Sequence, residues 1–337
     1  MNILERILRV YEENILAENR TNMWDWCQSH NSKVELNESN LENMANTDLV
    51  FGFFGGSHEM GLPESNTNAA IERVTRTALL KLAQLIGVSG IENPEGGLFL
   101  TQHILKLSDS DMLRKIETSI GFKIELPEFV GGREVVKTDF GIITDRHIHY
   151  LYILKRIIDL CPDRNSSIIE IGGGLGLLPY FLDKAGYKDY TCIDLAHANV
   201  CQAYFLHKNL PERELIISRE KKNPFSLKYK NAIKLLHTSD FPNMPDYYNH
   251  EVFRNKYDSV NILEKRFDIM INIDGFTEMS PSEVFKYIRS NCPLLLSINH
   301  EVNEYRVIDL CEKYRKLIYR YPFWIRPGYV EELYTLK

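Results

Sequence analysis

Nowhere in its 337 residues does the chain hold an apolar run approaching the ~18 residues that a membrane-spanning helix needs. It has no Cys-x-x-Cys pair among its six cysteines and no Gly-Lys pair anywhere. Nor is there a basic excess, since 40 lysines and arginines stand against 46 aspartates and glutamates, a formal net charge of -6. Each absence excludes something. Without a long apolar run no helical span is expected, and without Gly-Lys there is no phosphate loop. The acidic balance argues against a nucleic-acid-binding surface, which needs excess lysine and arginine. The local basic stretch Arg219, Lys221, Lys222, Lys228 and Lys230 reads as a solvated loop. Cys27, Cys161, Cys192, Cys201, Cys292 and Cys311 read as reduced, several of them inside apolar segments where a thiol acts as a small hydrophobe. Residues Met1 to Tyr11 alternate apolar and charged side chains instead of forming a signal-peptide core, so a cytoplasmic protein is expected.

What is present is an ordinary globular composition, 44% hydrophobic and 26% charged, with room for about two domains. The division falls near residue 140. Before it, Ile3, Ile7, Leu8 and Tyr11 fall at helical spacing, as do Ile71, Val74, Ala78, Leu79, Leu82 and Leu85. Between them Asn31 to Asn68 reads as irregular, with Gly52, Gly55, Gly56 and Gly61. A third helix is expected at about Ser110 to Ile120. This mainly helical region, 1–140, is expected to supply acceptor contacts, a lid or an oligomerisation surface, the last making a homo-oligomer an open expectation.

From about residue 145 helices alternate with short apolar strands. The pattern predicts helix His147 to Leu160, strand Ser167 to Ile171, a helix from Leu175, and strand Tyr190 to Ile193 ending at Asp194. A helix Asn199 to Lys208 follows, then strands at Leu215 to Ile217 and Ala232 to Leu236 within a long connection. Strand Phe267 to Ile273, helix Pro281 to Ser290 and strand Leu294 to Ile298 complete the series. Ser280, Pro281 and Glu283 form a helix-start signature. Alternation of this kind implies an α/β fold with a mostly parallel sheet covered on both faces.

The run Glu170-Ile171-Gly172-Gly173-Gly174-Leu175-Gly176 lies between a strand and a helix, where glycine lets backbone approach a ligand closely. A dinucleotide fingerprint needs Gly-x-Gly-x-x-Gly. Counting from Gly172 the last position is Leu177, and from Gly174 it is Pro179, so a dehydrogenase is disfavoured. What remains, Glu-x-Gly-x-Gly-x-Gly, resembles motif I of the Rossmann-like methyltransferases that use S-adenosylmethionine. Asp194 ends the next strand, where a carboxylate can accept hydrogen bonds from both ribose hydroxyls.

Beyond motif I the order of segments resembles the sugar O-methyltransferases of bacterial surface-polysaccharide gene clusters. The matching pieces are Ile168 to Gly176, Tyr190 to Leu195, Asn272-Ile273-Asp274-Gly275-Phe276-Thr277-Glu278-Met279, and Leu296-Ser297-Ile298-Asn299-His300-Glu301, within residues 140 to 325. That family usually has serine before the Phe276 position, and here it is Gly275. The resemblance implies an S-adenosylmethionine-binding domain over 141–337, with Glu170, Gly172, Gly173, Gly174, Gly176, Asp194 and Leu195 at the cofactor and Asp240 facing the adenine. It implies O-methylation of a sugar or glycan acceptor, possibly nucleotide-linked. A methyltransferase for another small molecule or lipid, and a non-catalytic binding module, are the alternatives.

A sugar hydroxyl is a weak nucleophile, so a general base is expected nearby. His300 is the first candidate, and Asp274 and Glu278 at the neighbouring strand end are the others. Glu301, Arg146 and His147 are candidate substrate contacts. Gly55-Gly56-Ser57-His58-Glu59 lacks the final glycine of a nucleophile elbow, and His58 is expected on a loop that closes over the acceptor. His147 and His149 are two apart and do not share a helix face. No cluster demands a metal, and metal dependence stays open. Tyr319, Tyr321, Phe323 and Trp324 are expected to pack a sheet edge.

Overall fold

The computed structural model describes residues 2–15, 21–50, 64–91, 107–132, 136–221, 224, 227–241 and 267–337. The expected lid with Ser57, His58 and Glu59 lies outside the described residues, and so does the substrate contact expected at His58.

After a short hairpin of β1 (Val136–Thr138) and β2 (Gly141–Ile143), the chain builds an eight-stranded sheet. Its strands are β3 (Ser167–Ile171), β4 (Asp189–Asp194), β5 (Leu215–Ile217), β6 (Ile233–His237), β7 (Ile269–Ile273), β8 (Leu294–His300), β9 (Arg315–Pro322) and β10 (Tyr329–Leu336). They lie in the order β5-β6-β4-β3-β7-β8-β10-β9. All pairs from β5 to β8 are parallel, while β10 runs antiparallel to both β8 and β9. The chain starts in the middle at β3, works outward through β4 to β6, then crosses back to β7. The sheet is thus doubly wound and Rossmann-like, as expected, with its order reversing beside β3, where such sheets open a crevice at their carboxyl ends.

The central strands read Ser-Ile-Ile-Glu-Ile and Ile-Met-Ile-Asn-Ile because both faces are covered. Alternate side chains enter opposite cores. Ile168 and Leu296 join one hydrophobic cluster, Ile169, Ile171, Met270 and Leu295 the other. Covering helices are α6 (Asp145–Leu160), α7 (Leu177–Lys184) and α8 (Ala196–Asn209), with α9 (Pro281–Ile288) and the short α10 (Val307–Cys311) following. The first half adds α1 (Ile3–Asn14), α2 (Asn22–Asn31), α3 (Glu38–Glu42), α4 (Glu64–Leu85) and α5 (Asp109–Ile120). Helix α1 packs on α8 and α4 on α6. Ile7, Leu41, Leu79 and Leu113 consequently belong to the same cluster as Ile148, Phe181 and Phe205.

Several expectations need correction. The segment Asn31 to Asn68 is not simply irregular. Asn37 caps α3, two 3-10 turns follow at Met44–Asn46 and Asp48–Val50, and α4 already begins at Glu64. Leu41, Met44 and Leu49 there are fully buried, so a few well-spaced apolar residues fix a segment that its polar majority disguises. At α9 the Ser280 hydroxyl accepts from the Glu283 amide (3.3 Å), and the Glu283 carboxylate bonds Lys286.

The sheet edge expected at Tyr319 and Tyr321 is strand β9, whereas β10, with its adjacent Glu331 and Glu332, is absent from the expected series. Both glutamates are buried. Glu331 accepts from Tyr152, Arg156, Tyr319 and Tyr321 at 2.6–3.0 Å, and Glu332 from Arg320 and Tyr334. Tyr319 stacks on Tyr321 within edge strand β9. All six cysteines are buried.

Candidate active site

Strands β3, β4, β6, β7 and β8 all end on one side of the sheet, around a cleft holding about 950 Å³ of empty space. One wall is the glycine turn. Gly172, Gly174 and Gly176 have φ of +78°, +56° and +92°, the left-handed region that other residues avoid. A Cβ on Gly174 would project into open space, whereas one on Gly173 would meet Cys192 Sγ at 2.5 Å and Glu170 Oε2 at 2.9 Å. Gly172 and Gly174 line the cleft; Gly173 and Gly176 instead let the turn sit down on β4 and α8, Gly176 against Leu206. Glu170 is fully buried beneath the turn, accepts the Tyr190 hydroxyl, and is pushed up to about 8 by burial. Its place is underneath, not in the cleft.

Asp194 and Leu195 line the cleft at the end of β4. The Asp194 carboxylate accepts from the amides of Gly174 (3.1 Å) and Leu195 (2.8 Å) and from Gln202 Nε2 (2.8 Å). Burial nevertheless raises its pKa to about 7. Asp240 does not reach the cleft: it accepts from the Ser218 hydroxyl and the His237 amide, and Thr238 lines the wall there. The sequence expectation for Asp240 is corrected accordingly, because the strand end turns through a 3-10 helix, Thr238–Asp240, that points the carboxylate back.

The opposite wall is built on β7 and β8. Asn272, fully buried in an otherwise apolar strand, donates to Ile171 O (2.7 Å) and accepts from the Phe276 amide and Asn299 Nδ2, both 2.9 Å. This side chain ties β3, β7, β8 and the following turn together where the sheet order reverses. Asp274 comes next with φ +60°, a conformation costing about 1 kcal/mol or more outside glycine. Its Oδ1 accepts Tyr329 (2.7 Å) and its Oδ2 Arg326 (2.5 Å). A Cβ at Gly275 would press on Asn272 Nδ2 at 2.7 Å, so the serine usual in the resembling family has no room while Asn272 keeps this pose.

Asp274, Glu278 and His300, singled out separately in the sequence, come together. His300 Nε2 lies 3.8 Å from Asp274 Oδ1 and 3.7 Å from Glu278 Oε1, ion-pair distances too long for direct hydrogen bonds. Asp274 and Glu278 line the cleft; His300 does not. Burial pushes the Glu278 carboxyl up, partly opposed by His300. Burial pushes Asp274 up too, but Arg326 and Arg146 outweigh it and hold the carboxyl low. The Glu278 carboxylate in turn raises the His300 imidazole. Among the described residues these three also form the one group with metal-ligand spacing, their ligand atoms all within 4.8 Å.

Arg146 and Tyr150, on α6, line the cleft beside Asp274, and Thr21 and Trp24 bring the first half of the chain to it. Two other expected contacts are elsewhere. His147 is buried with its Nδ1 accepting the Thr144 amide (3.0 Å) and its ring edge-on to Phe181, so it caps α6 instead of meeting a substrate. Glu301 pairs with Arg320 at 2.5 Å on the sheet edge. Gln202, Asn272, Tyr150, Thr238, Arg326 and Tyr329 were missed. Asn272 alone carried a signal, a polar residue inside an apolar strand.

No protein-family model and no curated protein matches the chain. Solved structures do. They include the magnesium protoporphyrin IX methyltransferase of Synechocystis PCC 6803 with bound SAM (10% identity, TM-score 0.36, 57% of this chain and 80% of that one). TrmK of M. capricolum in complex with S-adenosyl-homocysteine matches at 10% identity and TM-score 0.31, covering 51% and 62%. The pyocyanin biosynthetic protein PhzM matches at 11% and 0.34, covering 56% and 58%. The fold of this chain is defined by its own strand order.

Proposed function

We propose that this protein is an S-adenosylmethionine-dependent O-methyltransferase whose acceptor is a sugar or glycan hydroxyl. One observation carries the cofactor reading: Gly174, with open space where a Cβ would go, donates its amide to Asp194 at 3.1 Å across the same cleft. Backbone that a ligand can approach thus sits beside a buried carboxylate with acceptor capacity left for a ribose diol. Bound there, S-adenosylmethionine would supply a methyl carbon on a sulfonium, and Thr238 would border the adenine. The sugar acceptor rests on the resemblance of the Asn272 to Met279 and Leu296 to Glu301 segments; with a lipid or other small molecule the same site chemistry would serve.

For the proton, Glu278 is the better-placed base and His300 its partner. Glu278 lines the cleft, and burial raises its pKa towards working pH. With the cofactor bound to supply the methyl group, Glu278 would receive the proton that the acceptor hydroxyl gives up. His300 and Asp274 then hold the charge balance. A cation at the three side chains is disfavoured because Arg326 already neutralises Asp274 and His300 favours its charged form.

Calorimetric titration with S-adenosylmethionine, and separately with NAD, tests the class. Saturable binding of the former alone is expected, weakened about 10–100-fold in Asp194→Ala by loss of charge-assisted hydrogen bonds. Binding of NAD alone, or an unchanged affinity in the variant, would remove the reading.

A further inference from the structure

Arg146 is the one cationic group on the cleft wall with no settled partner among the described residues. Its Nε is buried without a hydrogen bond. Its terminal nitrogens have no hydrogen-bond partner among the described residues, and Asp274, the carboxylate facing it, has accepted Tyr329 on one oxygen and Arg326 on the other. Arg146 is half-buried at the cleft, and native structures rarely leave a buried guanidinium N–H such as its Nε without an acceptor. Asp145 and Asp274 compensate its charge at a distance and leave its hydrogen-bonding geometry unused.

The backbone that carries Arg146 is held firmly. Arg146 sits in the first turn of α6, whose start is locked by the exchange between Thr144 and His147. The cleft it faces is the one lined by Gly172 and Asp194. A planar, permanently charged donor pair in that position matches a carboxylate, which guanidinium binds bidentately. Resting on the cofactor reading above, we infer that Arg146 receives the α-carboxylate of the methionyl end of the cofactor. The ligand then lies with its ribose at Asp194 and its amino-acid end at α6. This assigns Arg146 to cofactor selection; the sequence had suggested acceptor contact.

The test is a binding cycle that needs no turnover. S-adenosylhomocysteine and 5′-methylthioadenosine share the adenosyl thioether, and only the former has an amino-acid end. Arg146→Gln is expected to weaken S-adenosylhomocysteine about 10–100-fold, the range for a hydrogen bond to a charged group, and methylthioadenosine less than about 2-fold. Arg146→Lys, which keeps the charge and loses the fork, is expected to show a smaller loss with the same selectivity, and it serves should the glutamine variant not fold. Equal weakening of both ligands, or none, would overturn the assignment. If the unaltered protein bound neither ligand, the cofactor reading itself would fall, and this one with it.

Discussion

At the scale of single residues the cluster of Glu278, His300 and Asp274 makes opposing demands on pH. Glu278 must be ionised to accept a proton, so turnover should rise with pH through its pKa. His300 as a cation lowers that pKa, and Asp274 raises it. Replacing His300 by Gln should therefore move the acidic limb of the rate profile to higher pH. Replacing Glu278 by Gln should remove about 100-fold or more of the turnover at every pH. Profiles of kcat for both variants decide between the two groups: if His300→Gln abolishes the limb and Glu278→Gln only displaces it, the imidazole is the base. Asp194 titrates separately. With its pKa near 7, cofactor affinity should weaken as pH falls below that point, because the protonated acid loses acceptor capacity. Asp194→Asn should bind weakly and without that pH dependence.

Among elements, the turn after β7 depends on Asn272 more than on any residue that the cofactor would touch. Asn272→Ala would take a buried partner from Ile171 O, the Phe276 amide and Asn299, of which Asn299 keeps Ser297. A loss of about 2–4 kcal/mol in denaturant unfolding is expected. A change under about 0.5 kcal/mol would mean that water replaces the side chain there.

This scale also shows what a sequence exposes and what it hides. Strands β3 to β8 were legible because burial on both faces leaves near-continuous apolar runs, and the glycines because left-handed backbone admits little else. The convergence of Asp274, Glu278 and His300 was legible too, since parallel strands deliver their carboxyl ends to one side. What stayed hidden depends on partners distant in the chain. Glu331 reads as exposed until Arg156 and three tyrosines surround it. Asp240 sits at the right strand end yet turns to Ser218. His147 resembles a cleft residue until Thr144 claims it.

Taken whole, the molecule stores two buried carboxyls at one turn, Glu170 beneath it and Asp194 beside it. Glu170, near 8, and Asp194, near 7, both hold protons in the fold that the unfolded chain releases at lower pH. Their contribution to stability is thus complete below about pH 4, the usual range of free carboxyls, and is lost as pH rises through 7 to 8. Glu170→Gln, which keeps an acceptor for Tyr190, should flatten that decline. Melting temperature followed from pH 5 to 9 reads it directly, and parallel slopes in both proteins would count against the buried acid as cause. Cofactor bound at Asp194 favours its ionised form, so the stabilisation it confers should grow over the same interval.

The seat beneath Gly173 has a consequence for descent. A methyl group there would strike both Cys192 and Glu170, on two strands that the chain makes at different times. A lineage that replaced the glycine is expected to have altered those neighbours as well, so positions 170, 173 and 192 should vary together.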